Sequence, residues 1–338
     1  MSRWGIGSVL PWPVPELAPD DPGSLWAVWT AGHAETAAFR TARGALAALI
    51  AHRRVRRIWL PAYGCAALVE GAAGCDIAWY GVDEHLAPDV TGLAGAVQAG
   101  DAVLAIDYFG APPPRAFRDL AAGRPDVLWI EDRAQALDTG AADWGQVMLY
   151  SPRKLTGVGE GGLLVGAGPL PGPEATDAPA TAEAQRARAE DPDGFRPEAW
   201  FPVFQQQEAA FDSRPLAMGE DARGLLARLA HAPRAARRRA NWTVLAEGLG
   251  DLALWPGRAA EFAPLAFPVR LANRDAVAAS LAERRIWCAR HWASLPSDPA
   301  EHPVAHRLAG ELLSLPCDER YDARDMAEVA EAVLALAR

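Results

Sequence analysis

The chain has 338 residues, of which 50% are hydrophobic and 22% charged. That length and balance suit a soluble globular protein with one large domain and one smaller one. The formal net charge of −10 argues against nucleic acid or an anionic membrane as the main partner, while a local pocket can still be positive enough for a small anion.

Short apolar runs at 57–62 (RIWLPA), 76–83 (DIAWYGVD), 102–110 (AVLAIDYFG), 127–134 (VLWIEDRA), 147–151 (VMLYS) and 162–166 (GLLVG) read as strands. They are near-continuous rather than alternating, as strands buried on both faces are. Between them, 41–53, 66–74, 90–100 and 113–123 read as helices, several closed by glycine. The alternation predicts a mostly parallel sheet with helices on both faces. Ligands of such sheets bind beyond the carboxyl ends of the strands. The basic run HRRVRR at 52–57 reads as a solvated helix end. Residues 167–197, rich in Pro, Gly, Ala and acid, read as a loop. An arginine-rich helical region at 220–249 leads into a second domain. There a strand at 262–272, a helix at 274–285, a strand at 311–317 and an amphipathic helix at 323–337 are expected. The expected division is a large domain over 1–230 and a small C-terminal domain over 231–338.

Cys65, Cys75, Cys288 and Cys317 are scattered without a CxxC, which argues against a metal cage or disulfide framework and for a reducing compartment. No apolar run reaches membrane-spanning length. Pro11, Pro13 and Pro15 break the N-terminal segment, which does not read as a signal peptide. A cytoplasmic protein is expected. The thirteen tryptophans read as packing and interface material.

Two segments carry the chemistry. WIEDRAQAL (129–137) puts an acid, Asp132, at the end of an apolar strand. LYSPRKLTGVGEGG (149–162) puts Lys154 past the end of another, at the mouth of a glycine-rich loop. Singly, each has a plain explanation: Asp132 as a cap or loop charge, Lys154 as a surface group, GEGG as a turn into the next strand. A nucleotide P-loop is excluded, because its lysine follows the glycines and here it precedes them. Together, the two meet the needs of a pyridoxal phosphate (PLP) site. An amine forms a Schiff base with the cofactor aldehyde, and a carboxylate holds the pyridine nitrogen protonated. No His/Asp/Glu cluster has metal-ligand spacing, and no GxSxG elbow is present.

The order Asp, Gln, Ser, Lys, GEGG resembles the DegT/DnrJ/StrS family of sugar aminotransferases, PLP enzymes of fold type I. TARGAL (41–46) resembles the family's phosphate-binding helix start, LPAYGCAALVEGAAGC (60–75) its strand–helix segment and DYFGAP (107–112) its turn. EDRAQAL (131–137) and YSPRKLTGVGEGG (150–162) resemble its cofactor segments. RRRAN (237–241) and HPVAHRLAGELLSLP (302–316) resemble its later helix and C-terminal domain. The resemblance implies an aspartate-aminotransferase-like α/β fold, with a large mostly parallel-sheet domain and a smaller C-terminal α+β domain. It implies that Lys154 forms the Schiff base and carries protons, and that Asp132 pairs with the pyridinium nitrogen. Gln135 would reach the cofactor's phenolic oxygen. The backbone N–H groups of Ala42 and Arg43 and the hydroxyl of Ser151 would hold the phosphate, and Tyr63 or Cys65 would border the ring. It further implies a homodimer, an amino acid donor such as glutamate, and a nucleotide-linked keto-sugar acceptor in a ping-pong reaction. Surface polysaccharide or a secondary metabolite is the implied product pathway.

The chain departs from the family at several points. Leu149 stands where many members carry serine, Cys65 where an aromatic is frequent, and Asp107 where histidine is common. Arg133 replaces a small residue beside the key acid. FDSRPLAMG (211–219) has Ser213 and Arg214 but lacks the asparagine through which one subunit reaches its partner's cofactor. His291 and Trp292 lie where members of the fold approach substrate, yet read from the residues alone they form a surface loop. Arg153, Arg214 and Arg290 are candidates for holding a nucleotide diphosphate. Three rivals stay open. One is sugar dehydration, although that branch carries histidine in place of the lysine. The others are a diverged binding or regulatory protein and transamination of a non-sugar ketone.

Overall fold

The structure, a computed structural model, describes residues 5–176 and 181–337. Residues 177–180 of the expected loop, and the first four of the N-terminal segment, lie outside the described residues. The chain opens with strand β1 (Ile6–Gly7), helix α1 (Leu25–Thr30) and strand β2 (Glu35–Phe39). Helix and strand then alternate through α2 (Ala42–Arg53), β3 (Arg57–Pro61), α3 (Ala66–Gly71), β4 (Asp76–Tyr80), α4 (Val90–Ala96), β5 (Ala102–Ile106), α5 (Arg115–Gly123) and β6 (Leu128–Asp132). The short β7 (Ala136–Asp138) precedes β8 (Val147–Tyr150), the one-turn helix α6 (Pro152–Thr156) and β9 (Gly162–Gly166). Four helices follow: α7 (Glu183–Ala189), α8 (Pro197–Ala210), α9 (Glu220–Leu226) and the long α10 (His231–Leu249). The remainder is β10 (Ala263–Pro264), β11 (Ala266–Arg270), α11 (Arg274–Glu283), β12 (Ile286–Trp287), α12 (Pro303–Glu311), β13 (Leu312–Pro316) and α13 (Ala323–Leu336).

Seven strands form the central sheet in the order β2-β9-β8-β6-β5-β3-β4. Neighbours from β4 through β8 pair in parallel, while β9 runs antiparallel to both β8 and β2. The expected mostly parallel sheet is present, with β9 reversed. Every residue of β5 and β9 is buried, because both faces of the sheet are covered. Leu104, Ile130 and Leu164 pack with Leu46 and Leu49 of α2 on one face. Val103 and Trp129 pack with Phe117 of α5, and Met148 and Leu163 with Leu225 and Leu226 of α9, on the other. By the two-residue period of a strand, Asp132 shares the α2 side with Ile130, and Glu131 points the opposite way.

The sheet's direction gathers loops at one edge. The connections following β2, β3, β4, β5, β6 and β8, the last leading into the reversed β9, all emerge there. Thr41 caps α2 by accepting from Gly44 N at 3.0 Å. Gly162 lets this helix start and the glycine-rich loop touch backbone to backbone, since a Cβ there would stand 2.2 Å from Thr41 O. GEGG is therefore a turn into β9, as expected. Its Glu160 is buried and braces the turn, accepting from Gly219 N at 2.6 Å and Thr181 N at 3.1 Å.

C-terminal to the sheet, β11 pairs antiparallel with β13. Trp242 and Leu245 of α10, Val277 and Leu281 of α11, and Met326 and Val329 of α13 close a second core around Phe267 and Leu315. A capping box between Asp322 and Asp325 starts α13. The exposed end of α2 at His52, Arg53 and Arg54 agrees with the solvated reading of the basic run. The loop expectation over 167–197 is corrected: α7 lies inside it. Its sequence EAQRARA consists of good helix formers, hidden by the proline- and glycine-rich stretch before it. No helix among the described residues is long and apolar enough to cross a membrane. Among the same residues no group of His, Cys, Asp or Glu is placed to hold a metal ion.

Candidate active site

Asp132 ends β6 and pairs in register with Leu149 of the neighbouring β8. Two residues beyond Leu149 the chain turns into α6, which carries Lys154. The two side chains are therefore delivered from adjacent strand ends to one point. Asp132 is 5% exposed, and its Oδ1 accepts from Ala134 N at 2.9 Å. Burial pushes its carboxyl above the usual range, while the Lys154 charge and the Ala134 N–H pull it part of the way back. Such an acid has an unfilled demand for positive charge. Lys154 is also the single lysine of the chain; the other 32 basic side chains are arginines.

Gln135 is buried, and its Oε1 accepts from Phe109 N at 2.7 Å, which orients the amide. Ser151 is buried at the N-cap of α6, with its carbonyl accepting from Lys154 N at 3.1 Å. Ala42 and Arg43 are the first residues of α2, where helical geometry leaves N–H groups without an intrahelical acceptor. The Arg43 guanidinium itself turns away, donating to Glu70 and to Phe211 O. Beside this helix start lies a cavity of about 190 Å³ lined by residues that include Arg40, Thr41, Gln207 and Arg214.

Tyr63 and Cys65 follow β3. Tyr63 is fully buried, Tyr108 donates to its carbonyl, and their rings meet edge-on at 5.7 Å. Cys65 is half-buried at the start of α3. Burial first, then the neighbouring Tyr80 and Tyr63 and the Asp132 carboxylate, hold the Tyr108 hydroxyl well above its ordinary range, so the wall contributes neutral phenols.

His291 and Trp292 lie in a turn, as expected, but they are half-buried and face inward instead of standing on the surface. Tyr63 donates to His291 O, the Trp292 ring packs 5.7 Å from Tyr63, and the His291 ring meets Phe109 edge-on at 6.1 Å. His291 Nδ1 is 2.8 Å from Ser314 Oγ. Its imidazole is pushed down to about 4, by burial first and by the Lys154 charge second. A residue carried by the C-terminal part of the chain thus stands within electrostatic reach of Lys154. No local motif marks it.

The departures at Asp107 and Arg133 prove to be one feature. Arg133 donates to Glu131 Oε1 at 2.7 Å, to the Tyr150 hydroxyl at 2.9 Å and to Asp143 at 2.5 Å. Its Nε stands 3.9 Å from Asp107 Oδ2. This network lies on the sheet face opposite Asp132. Burial and the Glu131 charge hold Asp107 well above the carboxylate range, and Arg133 offsets part of that. Arg153 is paired with Glu208, Arg214 with Asp212 and Arg290 with Asp275. Each candidate for a diphosphate therefore already has an acidic partner.

No protein-family model matches this chain, and no curated protein matches it. Solved structures do. A DegT DnrJ EryC1 StrS aminotransferase from Brucella abortus is 17% identical with TM-score 0.66, covering 92% of this chain and 88% of the other. The PLP form of Spr1654 from Streptococcus pneumoniae, a sugar aminotransferase candidate, is 12% identical with TM-score 0.69 over 99% of each chain. DesI, solved in the presence of its TDP-sugar product, is 20% identical with TM-score 0.62, covering 92% of this chain and 83% of that one. The chain therefore has the fold on which these sugar aminotransferases are built, an α/β fold with a large mostly parallel sheet.

Proposed function

We propose that this protein is a PLP-dependent aminotransferase that moves an amino group from an amino acid, glutamate by preference, to a nucleotide-linked keto-sugar. The observation that carries the reading is the position of the single lysine opposite the buried Asp132. Arginine serves every other cationic role in this chain, but a guanidinium cannot form a Schiff base or act as a base near neutral pH. A binding protein gives no reason for this one exception. The residues present fit the cofactor. Asp132 supplies the carboxylate for a ring nitrogen, Gln135 lies beyond it, and Ala42, Arg43 and Ser151 offer hydrogen bonds to a phosphate. When bound, PLP supplies an aldehyde and an electron-withdrawing ring.

In this reading Lys154 Nζ would hold the cofactor's aldehyde carbon and, as a free amine, would be the base that carries the proton taken from the donor's α-carbon. Asp132 would supply the carboxylate that keeps a ring nitrogen protonated. Tyr63, against which Tyr108 and Trp292 pack, would border the ring and limit the access of water. His291, neutral down to about pH 4, is a hydrogen-bonding group beside Lys154 that adds no second cation. A large domain over 1–230, a small one over 231–338 and a homodimer belong to this proposal.

The test is a two-part reaction. Loaded protein is mixed with L-glutamate and the 2-oxoglutarate counted, then a panel of nucleotide-linked keto-sugars is added and amino-sugar measured. The proposal expects one 2-oxoglutarate per site in the first part and amino-sugar from at least one acceptor in the second. Absence of the corresponding 2-oxo acid with glutamate and with every other amino acid would overturn it.

A further inference from the structure

The reaction assigned above needs Lys154 at a fixed place, yet its helix is a single turn. A helix that short has no stability of its own. Its N-terminal side is held by β8, which pairs Tyr150 with Leu163. Its C-terminal side ends at Gly157, whose φ of +74° stops the helix and which packs against the N-terminal segment at Pro11 O. The carbonyls there have no helical donor ahead of them. One of them, Leu155 O, accepts from Arg238 at 2.8 Å.

Arg238 belongs to α10 and is 1% exposed. Its guanidinium also donates to Pro264 O at 2.8 Å and to Glu319 Oε2 at 2.8 Å. Glu319 lies in the loop after β13. The same face of α10 holds that loop through Asn241, which donates to the carbonyls of Cys317, Asp318 and Tyr321. Arg234, one turn earlier, stands 3.3 Å from Glu319 Oε1. Arg234, Arg238 and Asn241 thus form a buried polar stripe where an ordinary helix would bury apolar side chains.

We infer that Arg238 is a positioning residue: it locks the carbonyl next to Lys154 to the C-terminal part of the chain, so that the place of the amine depends on the seating of the 316–321 loop. Its planar fork serves a helix carbonyl, a second carbonyl and a carboxylate at once, which a lysine cannot do. The inference rests on the proposed role of Lys154. Arg237 beside it is exposed and serves as a control.

The experiment compares full-length wild type, Arg238→Gln, Arg238→Lys and Arg237→Gln. PLP is added and the pH midpoint of the visible absorbance change is titrated. We expect Arg238→Gln to move the midpoint by about half a pH unit or more, with Arg238→Lys recovering part of it and Arg237→Gln none. A midpoint unchanged in Arg238→Gln, even with a lower melting temperature, would reduce Arg238 to fold support. Should Arg238→Gln not fold, Glu319→Gln replaces it: a midpoint shifted from both wild type and Arg237→Gln supports the inference, and no shift overturns it. If wild type gives no visible band, the proposed function has failed. Arg238 is then judged without PLP. Because the chain has one lysine, an amine-reactive reagent reports on Lys154 once the N-terminus is blocked. A labelling rate altered about threefold or more by Arg238→Gln supports the clamp, and an unaltered rate removes it.

Discussion

At the scale of single residues, charge and burial decide what the site can do. His291 is held neutral by burial and by the Lys154 charge, with its midpoint near 4. Between about pH 6.5, the ordinary value, and pH 4 the unfolded chain takes up a proton at this position that the folded chain refuses. Stability therefore falls as pH drops through that window. His291→Gln should reduce the pH slope of the unfolding free energy there by up to about one proton, measured by denaturant titration at several pH values. Asp107 is shifted the other way: its raised value means that the folded chain prefers the neutral acid. Stability from it is present at low pH and lost as pH rises. Asp107→Asn should raise the melting temperature at pH 7 by about 2 °C or more and lose that gain near pH 4. The placement of Asp132 and Lys154 beyond neighbouring strand ends was legible in the sequence, because both follow short apolar runs close together along the chain. His291 was not, because it reaches Lys154 through the tertiary fold and a lone histidine in a loop carries no local signal. The lysine count was a signal within reach of composition alone, since arginine fills every other basic position.

Elements set the tolerance of the site to change. The start of α2 and the turn into β9 share a backbone contact at Gly162. Gly162→Ala should destabilise the fold by about 1–3 kcal/mol, read from thermal or urea unfolding, because the start of α2 and the turn into β9 must part. The strand expectations agreed with β3, β4, β5, β6, β8 and β9 to within a few residues, since buried parallel strands are written as continuous apolar runs. What composition obscured was α7, behind a proline-rich stretch, and α6, too short to carry a period. The arginine-rich region at 220–249 concealed a different fact. Its basic residues look like a solvated face, but Arg234 and Arg238 are buried and paired.

For the molecule as a whole, the reversed β9 and the order β2-β9-β8-β6-β5-β3-β4 bring six loops to one edge of the sheet. The C-terminal part of the chain then supplies His291 and Trp292 to the same edge, where Trp292 packs against the core of the central sheet. Ile6 and Gly7 pair with Ile286 and Trp287, so the N-terminal segment crosses to that part of the chain. Trp242 is central to the C-terminal core, touching Phe262 and Phe267 with ring centroids at 4.9 Å and 4.6 Å. Trp242→Ala should cost about 3–5 kcal/mol, and should disturb the site indirectly by loosening α10. The strand order and the crossing of the N-terminal segment were beyond the sequence, because pairing between distant strands leaves no local pattern.

The central claim is that Lys154 and Asp132 form a PLP site that accepts an amine. The most direct measurement is an absorbance spectrum with added PLP, before and after L-glutamate, for wild type and Lys154→Ala. The account predicts a visible band in wild type that glutamate bleaches, and its absence or alteration in Lys154→Ala. No band in wild type, or the same band in both proteins, would contradict it.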